Sequence, residues 1–120
     1  MKKIDIKELD VPNICFSLTK EDDTREELFK QQRIERGFDD SETWSLDETF
    51  SKFMLPRLER YREITKDMFS EQDDFNIKIE ELIDSLKLHI SEDTIHTNET
   101  REQIKKGLRH LPEIYLGLWW

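Results

Sequence analysis

The apolar residues of this chain fall at helical intervals over most of its length. The clearest stretch runs from about Asp74 to Ile90, where Phe75, Ile79, Leu82, Ile83, Leu86 and Ile90 share one face at steps of three and four. Ile77 and Leu88 fall off that face and suggest a second contact surface. Upstream, Phe50, Phe53, Met54, Leu58, Tyr61 and Met68 draw a stripe along another helix. That helix is expected to start at Ser45, three residues ahead of Glu48, the spacing of a capping box. Pro56 predicts a kink or a break near Leu55. Before it, Thr24 is followed by Glu26 and Glu27, and Arg33 and Arg36 precede Gly37, the start and stop signals of a first helix. The last helix runs from Glu99 behind an Asn98 cap, with Ile104, Leu108, Leu111, Tyr115 and Leu118 on one face and a bend where Gly107 and Pro112 weaken it.

Residues 1–18 carry no such period. Ile14, Cys15, Phe16 and Leu18 form a short apolar run after Pro12, which is compatible with a short strand or with an extended arm. An arm packing on the helices is the expected form. The pattern therefore predicts an all-α fold, a small bundle of about four helices with an N-terminal arm, in one domain spanning 1–120. It holds no internal repeat or low-complexity tract.

Charge narrows the partners. With 19 basic and 28 acidic side chains the net charge is −9, which opposes general attraction to nucleic-acid phosphates or to an anionic membrane. Neither a nucleic-acid polymer nor a membrane is an expected partner. One cysteine, Cys15, forms no internal bridge, and MKKIDIKELD has no apolar run suited to a signal peptide, so a cytoplasmic setting is expected.

The string RIERGFDDSETWSLDETFSKFMLPRL and the C-terminal IKKGLRHLPEIYLGLW resemble a family of small proteins encoded by tailed phages and prophages. The matching positions are Arg36, Gly37, Phe38, Asp40, Trp44, Ser45, Leu46 and Asp47 at the front, and Gly107, Leu108, Tyr115, Leu118 and Trp119 at the back. In the middle, DFNIKIEELIDSLKLHI stands where that family commonly has a tryptophan-bearing helix. The resemblance implies a phage origin and a host cytoplasm as the setting, not an activity.

Two constellations are candidates for chemistry. Arg101, Lys105 and Arg109 are spaced i, i+4, i+8 along one helical edge, and Arg57 and Arg60 flank Tyr61 on another helix. If these edges met, the cations would bind phosphates while Trp44, Tyr61 or Trp119 stacked on a base, as sequestration of a nucleotide signal requires. The plainer reading is a solvated face paired with Glu102 and Glu113. The second constellation is Glu59, Glu63, Glu81 and Asp84, which facing each other would hold Mg²⁺ as in all-helical nucleotide pyrophosphohydrolases. Only Glu81 to Asp84 has that enzyme's spacing. His89, His96 and His110 lack the spacing of a zinc site, and no cofactor is expected.

Adjacent Trp119 and Trp120 cannot both face a core, which points to a second copy of the chain. The expected function is a non-enzymatic phage accessory protein, a homo-oligomer that inhibits host defence by capturing a nucleotide or by docking on an effector protein through the acidic loop Asp39 to Asp47. A Mg²⁺-dependent hydrolase and a minor virion or assembly component are the alternatives.

Overall fold

Helix boundaries in the computed structural model, which describes residues 3–68 and 73–120, follow the local signals closely. The fold is all-α: α1 Glu26–Arg36, α2 Leu46–Thr65, α3 Asp74–Ile90, α4 Asn98–Leu108 and a short turn of helix α5 at Leu111–Ile114, with no strand among the described residues. Two compact units divide the chain, Met1–Phe53 and Met54–Trp120, and the division falls inside α2.

In the second unit the long period of α3 does what it predicts. Ile79, Leu82, Ile83 and Leu86 are buried and form a core with Leu55 and Leu58 of α2 and with Ile114, while Phe75 and Ile90 pack at its edge. Asp73 caps α3 by accepting from the Phe75 amide at 2.9 Å. Ile77 stays exposed, off the buried face. Helix α2 contributes differently from its expected stripe: Leu55 and Leu58 are buried, whereas Phe50, Phe53 and Met68 are exposed. Nor does Pro56 end the helix, which continues to Thr65.

Side chains tie these helices together. Arg62 of α2 donates to Glu80 of α3 at 2.7 Å, and the buried Ser85 hydroxyl of α3 reaches the Gln103 carbonyl of α4 at 3.3 Å. Opposite Ser85 stands Gly107, at the crossing of α3 and α4. A Cβ there would lie 1.6 Å from Ser85 Oγ and 2.6 Å from the Glu81 carbonyl oxygen. Gly107 is thus a contact residue, and its weakening of the helix is secondary.

The end of the chain departs from one continuous helix. Helix α4 stops at Leu108, and Pro112, with no N–H to donate, sits in the first turn of α5, where the missing donor costs nothing. This restart shifts the register, so Ile114 is buried and Tyr115, expected on the inner face, is 66% exposed. The cap of α4 is also one residue earlier than Asn98: Thr97 Oγ1 accepts from the Thr100 amide at 3.2 Å. Thr97→Ala is expected to lower stability by about 1 kcal/mol, with Asn98→Ala nearly silent, in paired urea titrations.

The first unit is built on other principles. The arm, whose first two residues lie outside those described, is not a strand: Ile6–Leu9 is a 3-10 turn capped by Asp5, and the segment beyond it runs without regular structure to Lys20. It is held by side chains, the Phe16 amide donating to Glu42 at 2.9 Å and the Leu18 amide to Ser41 Oγ at 2.8 Å. Neither Thr24 nor any other side chain caps α1: Arg25 precedes the helix, its own amide donates to the Asp23 carboxylate at 2.8 Å, and the Glu26 amide donates to the Asp23 carbonyl at 3.0 Å. The expected stop holds, with Gly37 at φ 86° closing α1 onto the Arg33 carbonyl.

At the centre of this unit lies Arg33, 1% exposed. Its Nε and Nη2 grip Asp5 at 2.8 and 3.1 Å, Nη2 also reaches Glu26 at 2.5 Å, and Nη1 donates to Asp39 at 2.7 Å and to Ser17 at 3.3 Å. Five hydrogen bonds match the five N–H groups of a guanidinium, so the buried cation is fully satisfied. Asp39 accepts in addition from Ser17, from the Ser41 hydroxyl and from the Ser41 amide. Among the described residues of this unit, Phe29 is the one large apolar side chain that is buried.

Candidate functional site

The polar centre of the first unit holds up an apolar surface. Beyond Gly37 the chain enters a 3-10 turn, Asp40–Thr43, that carries a capping box: the Asp39 amide donates to Glu42 at 2.7 Å while the Asp39 carboxylate takes the Ser41 amide at 2.8 Å. Glu42 therefore uses one carboxylate oxygen on Asp39 and the other on Phe16, fixing the arm beside the turn. Helix α2 then starts at Leu46, and Leu46, Phe50 and Phe53 follow at i, i+4 and i+7 on one face. Ile14 and Phe16 of the arm, Phe38 of the turn and these three residues of α2 line a groove of about 450 Å³, with Gly37, Glu42, Thr43 and Thr49 between them. Phe16 and Phe53 meet edge to face at 6.5 Å, and the Arg36 guanidinium lies 4.3 Å over the Phe38 ring. The groove is wide, apolar and open: Phe38, Leu46, Phe50 and Phe53 are each at least 41% exposed. Its one carboxylate, Glu42, is 4% exposed and accepts from backbone amides through both oxygens, so the lining presents no exposed carboxylate.

The acidic loop Asp39 to Asp47 is only partly exposed. Asp39 and Glu42 are buried, and the exposed Asp40 pairs with Arg36 at 2.6 Å. Trp44 belongs to this unit, edge-on to Phe29 at 6.0 Å with the Arg25 guanidinium 4.8 Å above its ring.

The remaining residues considered for a nucleotide lie in the second unit. Arg60 pairs with Glu63 one turn away at 3.1 Å, and Lys105 and Arg109 both approach Glu102 at 3.6 Å. Arg60–Glu63 and Lys105–Glu102 are pairs within single helices, Arg109 reaches back to Glu102 from the cap just beyond α4, and all these side chains are exposed, the solvated-face arrangement. Arg57 and Arg101 are exposed on α2 and α4. Tyr61 is engaged by the backbone, its single hydroxyl proton shared between the carbonyls of Gly117 and Trp119, which lie 3.3 and 3.2 Å from the oxygen, and burial pushes its pKa up.

Of the four carboxylates considered for Mg²⁺, Glu59 lies 3.9 Å from Lys87, Glu63 faces Arg60, and Glu81 contacts His110 Nε2 at 2.5 Å. Asp84 lines a cleft of about 260 Å³ between α3 and α4, together with Glu81, Ser85, Gln103 and Lys106. The hydrogen bond to His110 holds Glu81 below the usual carboxylate range, desolvation opposes it, and the charges of His110 and Lys106 add to the lowering. Among the described residues no group of three or more His, Cys, Asp or Glu side chains is placed to hold a metal ion. Cys15 is half-buried in the arm and burial pushes its thiol up, which suits a small apolar side chain better than a nucleophile.

Sequence reasoning missed the groove because it assigned Phe50 and Phe53 to the same core as Leu58. The available signal was the second stripe, Leu46, Phe50 and Phe53, offset around α2 from Leu55 and Leu58. Among the described residues no helix is long and apolar enough to cross a membrane. No family model, curated protein or solved structure matches the chain.

Proposed function

We propose that this chain is a non-enzymatic binding protein whose working surface is the groove of the first unit, and that its ligand is an uncharged, aromatic-bearing segment of a protein. The observation that carries this reading is the contrast within that unit. A buried guanidinium with three carboxylates holds the frame, while six large apolar side chains are gathered around one open depression on its surface. Apolar patches of that kind on small domains mark interaction sites. Docking is favoured over nucleotide capture because Arg60, Lys105 and Arg109 already have nearby carboxylate partners, and because Tyr61 is engaged by backbone. The resemblance to small phage proteins supports a host cytoplasm as the setting, and a host-defence protein as the target is proposed by association alone.

Selection from a displayed random dodecapeptide library tests the reading. Sequences rich in Trp, Phe and Leu are expected to enrich on the wild-type protein and to lose at least about tenfold in affinity on Phe50→Asp, since a carboxylate in a desolvated apolar contact removes a hot spot. Phe50 is exposed, so the variant is expected to keep its helical circular dichroism. Enrichment unaffected by Phe50→Asp, or calorimetric heat with a nucleotide and none with the selected peptides, would overturn it.

A further inference from the structure

The groove is assembled from parts far apart in sequence. Leu46, Phe50 and Phe53 stand on α2, whose backbone is fixed by its own helix, whereas Ile14 and Phe16 come from a segment with neither helix nor strand. An irregular segment has no ladder of its own hydrogen bonds, so the wall it forms depends on bonds made to it from elsewhere. Glu42 supplies one at the groove itself. This side chain is 4% exposed, its Oε1 accepts from the Phe16 amide at 2.9 Å and its Oε2 from the Asp39 amide at 2.7 Å, while its carbonyl accepts from the Thr49 hydroxyl of α2 at 2.7 Å. Arm, turn and helix therefore meet at one residue, and Phe16 so held lies edge to face with Phe53 at 6.5 Å.

We propose that Glu42 is a positioning residue for recognition, acting through Phe16 to hold the arm wall of the groove at its distance from α2. This rests on the docking reading of the groove and adds how the site is kept in shape. Both backbone groups that the side chain meets are donors, and a carboxylate offers an acceptor to each. A glutamine of the same shape offers one oxygen and one NH2, so one of the two amides must lose its partner. The two bonds differ in the loop they close: Asp39 is three residues away within the turn, and Phe16 is 26 residues away. Closing the short loop costs less chain entropy, so the Asp39 bond is the one kept. Glu42→Gln thus releases the arm wall selectively. The frame beneath stays tied, since Asp5, Ser17 and Asp39 reach the Arg33 guanidinium without Glu42.

Residue-resolved amide exchange by NMR, and calorimetric titration with a Trp-, Phe- and Leu-rich dodecapeptide selected on the wild type, test this on variants confirmed as helical by circular dichroism. In Glu42→Gln the Phe16 amide is expected to exchange about ten- to a hundredfold faster, the range for losing a bond to a charged group. The amides of α1 and of Ser41 are expected to keep wild-type protection. The peptide is expected to bind about tenfold more weakly, as when an aromatic contact is withdrawn from an interface. Coupling separates positioning from general loosening. Glu42→Gln combined with Phe16→Ala is expected to weaken binding no more than Phe16→Ala alone, whereas with Leu46→Ala, on the α2 side of the groove, the two losses are expected to add. A Phe16 amide that stays protected in Glu42→Gln, undiminished peptide affinity in that variant, or a loss that adds to that of Phe16→Ala overturns the positioning role, and binding that still depends on Phe50 leaves the docking reading standing. Protection lost across α1 together with Phe16 overturns it as well, because Glu42 would then support the whole unit. If no peptide enriches on the wild type, or enrichment ignores Phe50→Asp, the docking reading falls and the positioning role falls with it.

Discussion

Replacing Arg33 by alanine is expected to destabilise the first unit by about 3–5 kcal/mol, the cost of leaving buried carboxylates without their cation. The truncation strands Asp5 and Asp39, which are 4% and 0% exposed, and removes one partner of Glu26, which keeps Thr19 and Lys7. Amide hydrogen exchange over α1 and the Asp40–Thr43 turn is the direct measurement, and protection there is expected to collapse. Arg33→Lys is not expected to rescue, since one ammonium cannot reproduce a bidentate grip on Asp5 while also reaching Glu26 and Asp39. Unchanged protection in the alanine variant would show the cluster to be dispensable.

The same cluster sets an acid limit. Burial pushes the Asp5, Glu26 and Asp39 carboxyls up, but hydrogen bonds from Arg33 and from neighbouring hydroxyls or amides outweigh it, and all three end below their ordinary values. A carboxylate whose pKa is lowered on folding contributes stability that is fully present above its unfolded pKa, about 4. That contribution is lost as the pH falls through the lower folded values. The first unit is therefore expected to hold from neutral pH down to about pH 4 and to weaken progressively below it. In the Arg33→Ala variant the sign reverses: acidification should relieve the stranded carboxylates, and protection lost at neutral pH should partly return.

In the second unit the largest effect is expected from the smallest addition. Gly107→Ala places a methyl group 1.6 Å from Ser85 Oγ and 2.6 Å from the backbone oxygen of Glu81. The Ser85 hydroxyl can rotate away, but the carbonyl belongs to α3 itself, so α3 and α4 must separate. Overpacking of this kind costs about 3 kcal/mol, a fall of roughly 10 °C in Tm. Ser85→Gly in the same chain removes the side-chain clash and leaves the backbone one, so it is expected to recover only part of the loss. A Tm within about 2 °C of wild type for Gly107→Ala would mean that the helices do not cross at this glycine.

How much of this is legible in the sequence follows from what each element is made of. Helix α3 can be read to the residue because its apolar face has one destination and Asp73 stands ready as a cap. The cap of α4 is displaced by one residue from the expected position, since Thr97–Asn98 puts two competent side chains side by side and only the backbone angle chooses between them, while α1 starts without a side-chain cap although Thr24 stands ahead of it. The C-terminal break comes from Pro112, which reads as a bend although it begins a new turn. The interior of the first unit is hidden for a deeper reason. Periodicity finds cores by looking for apolar residues, and here the buried centre is an arginine whose carboxylates come from three separate places in the chain. The groove is hidden by the same habit, because an apolar stripe on α2 is assumed to have a single destination.

Asp5 gives the arm a meaning that its length and irregularity conceal. It reaches 28 positions along the chain to take two of the five guanidinium bonds, so a shortened polypeptide beginning at Asp10 would retain every residue of the recognition surface and still forfeit the scaffold beneath it. Trimming that removes Asp5 is therefore expected to cost the fold of the first unit even where every groove residue is kept.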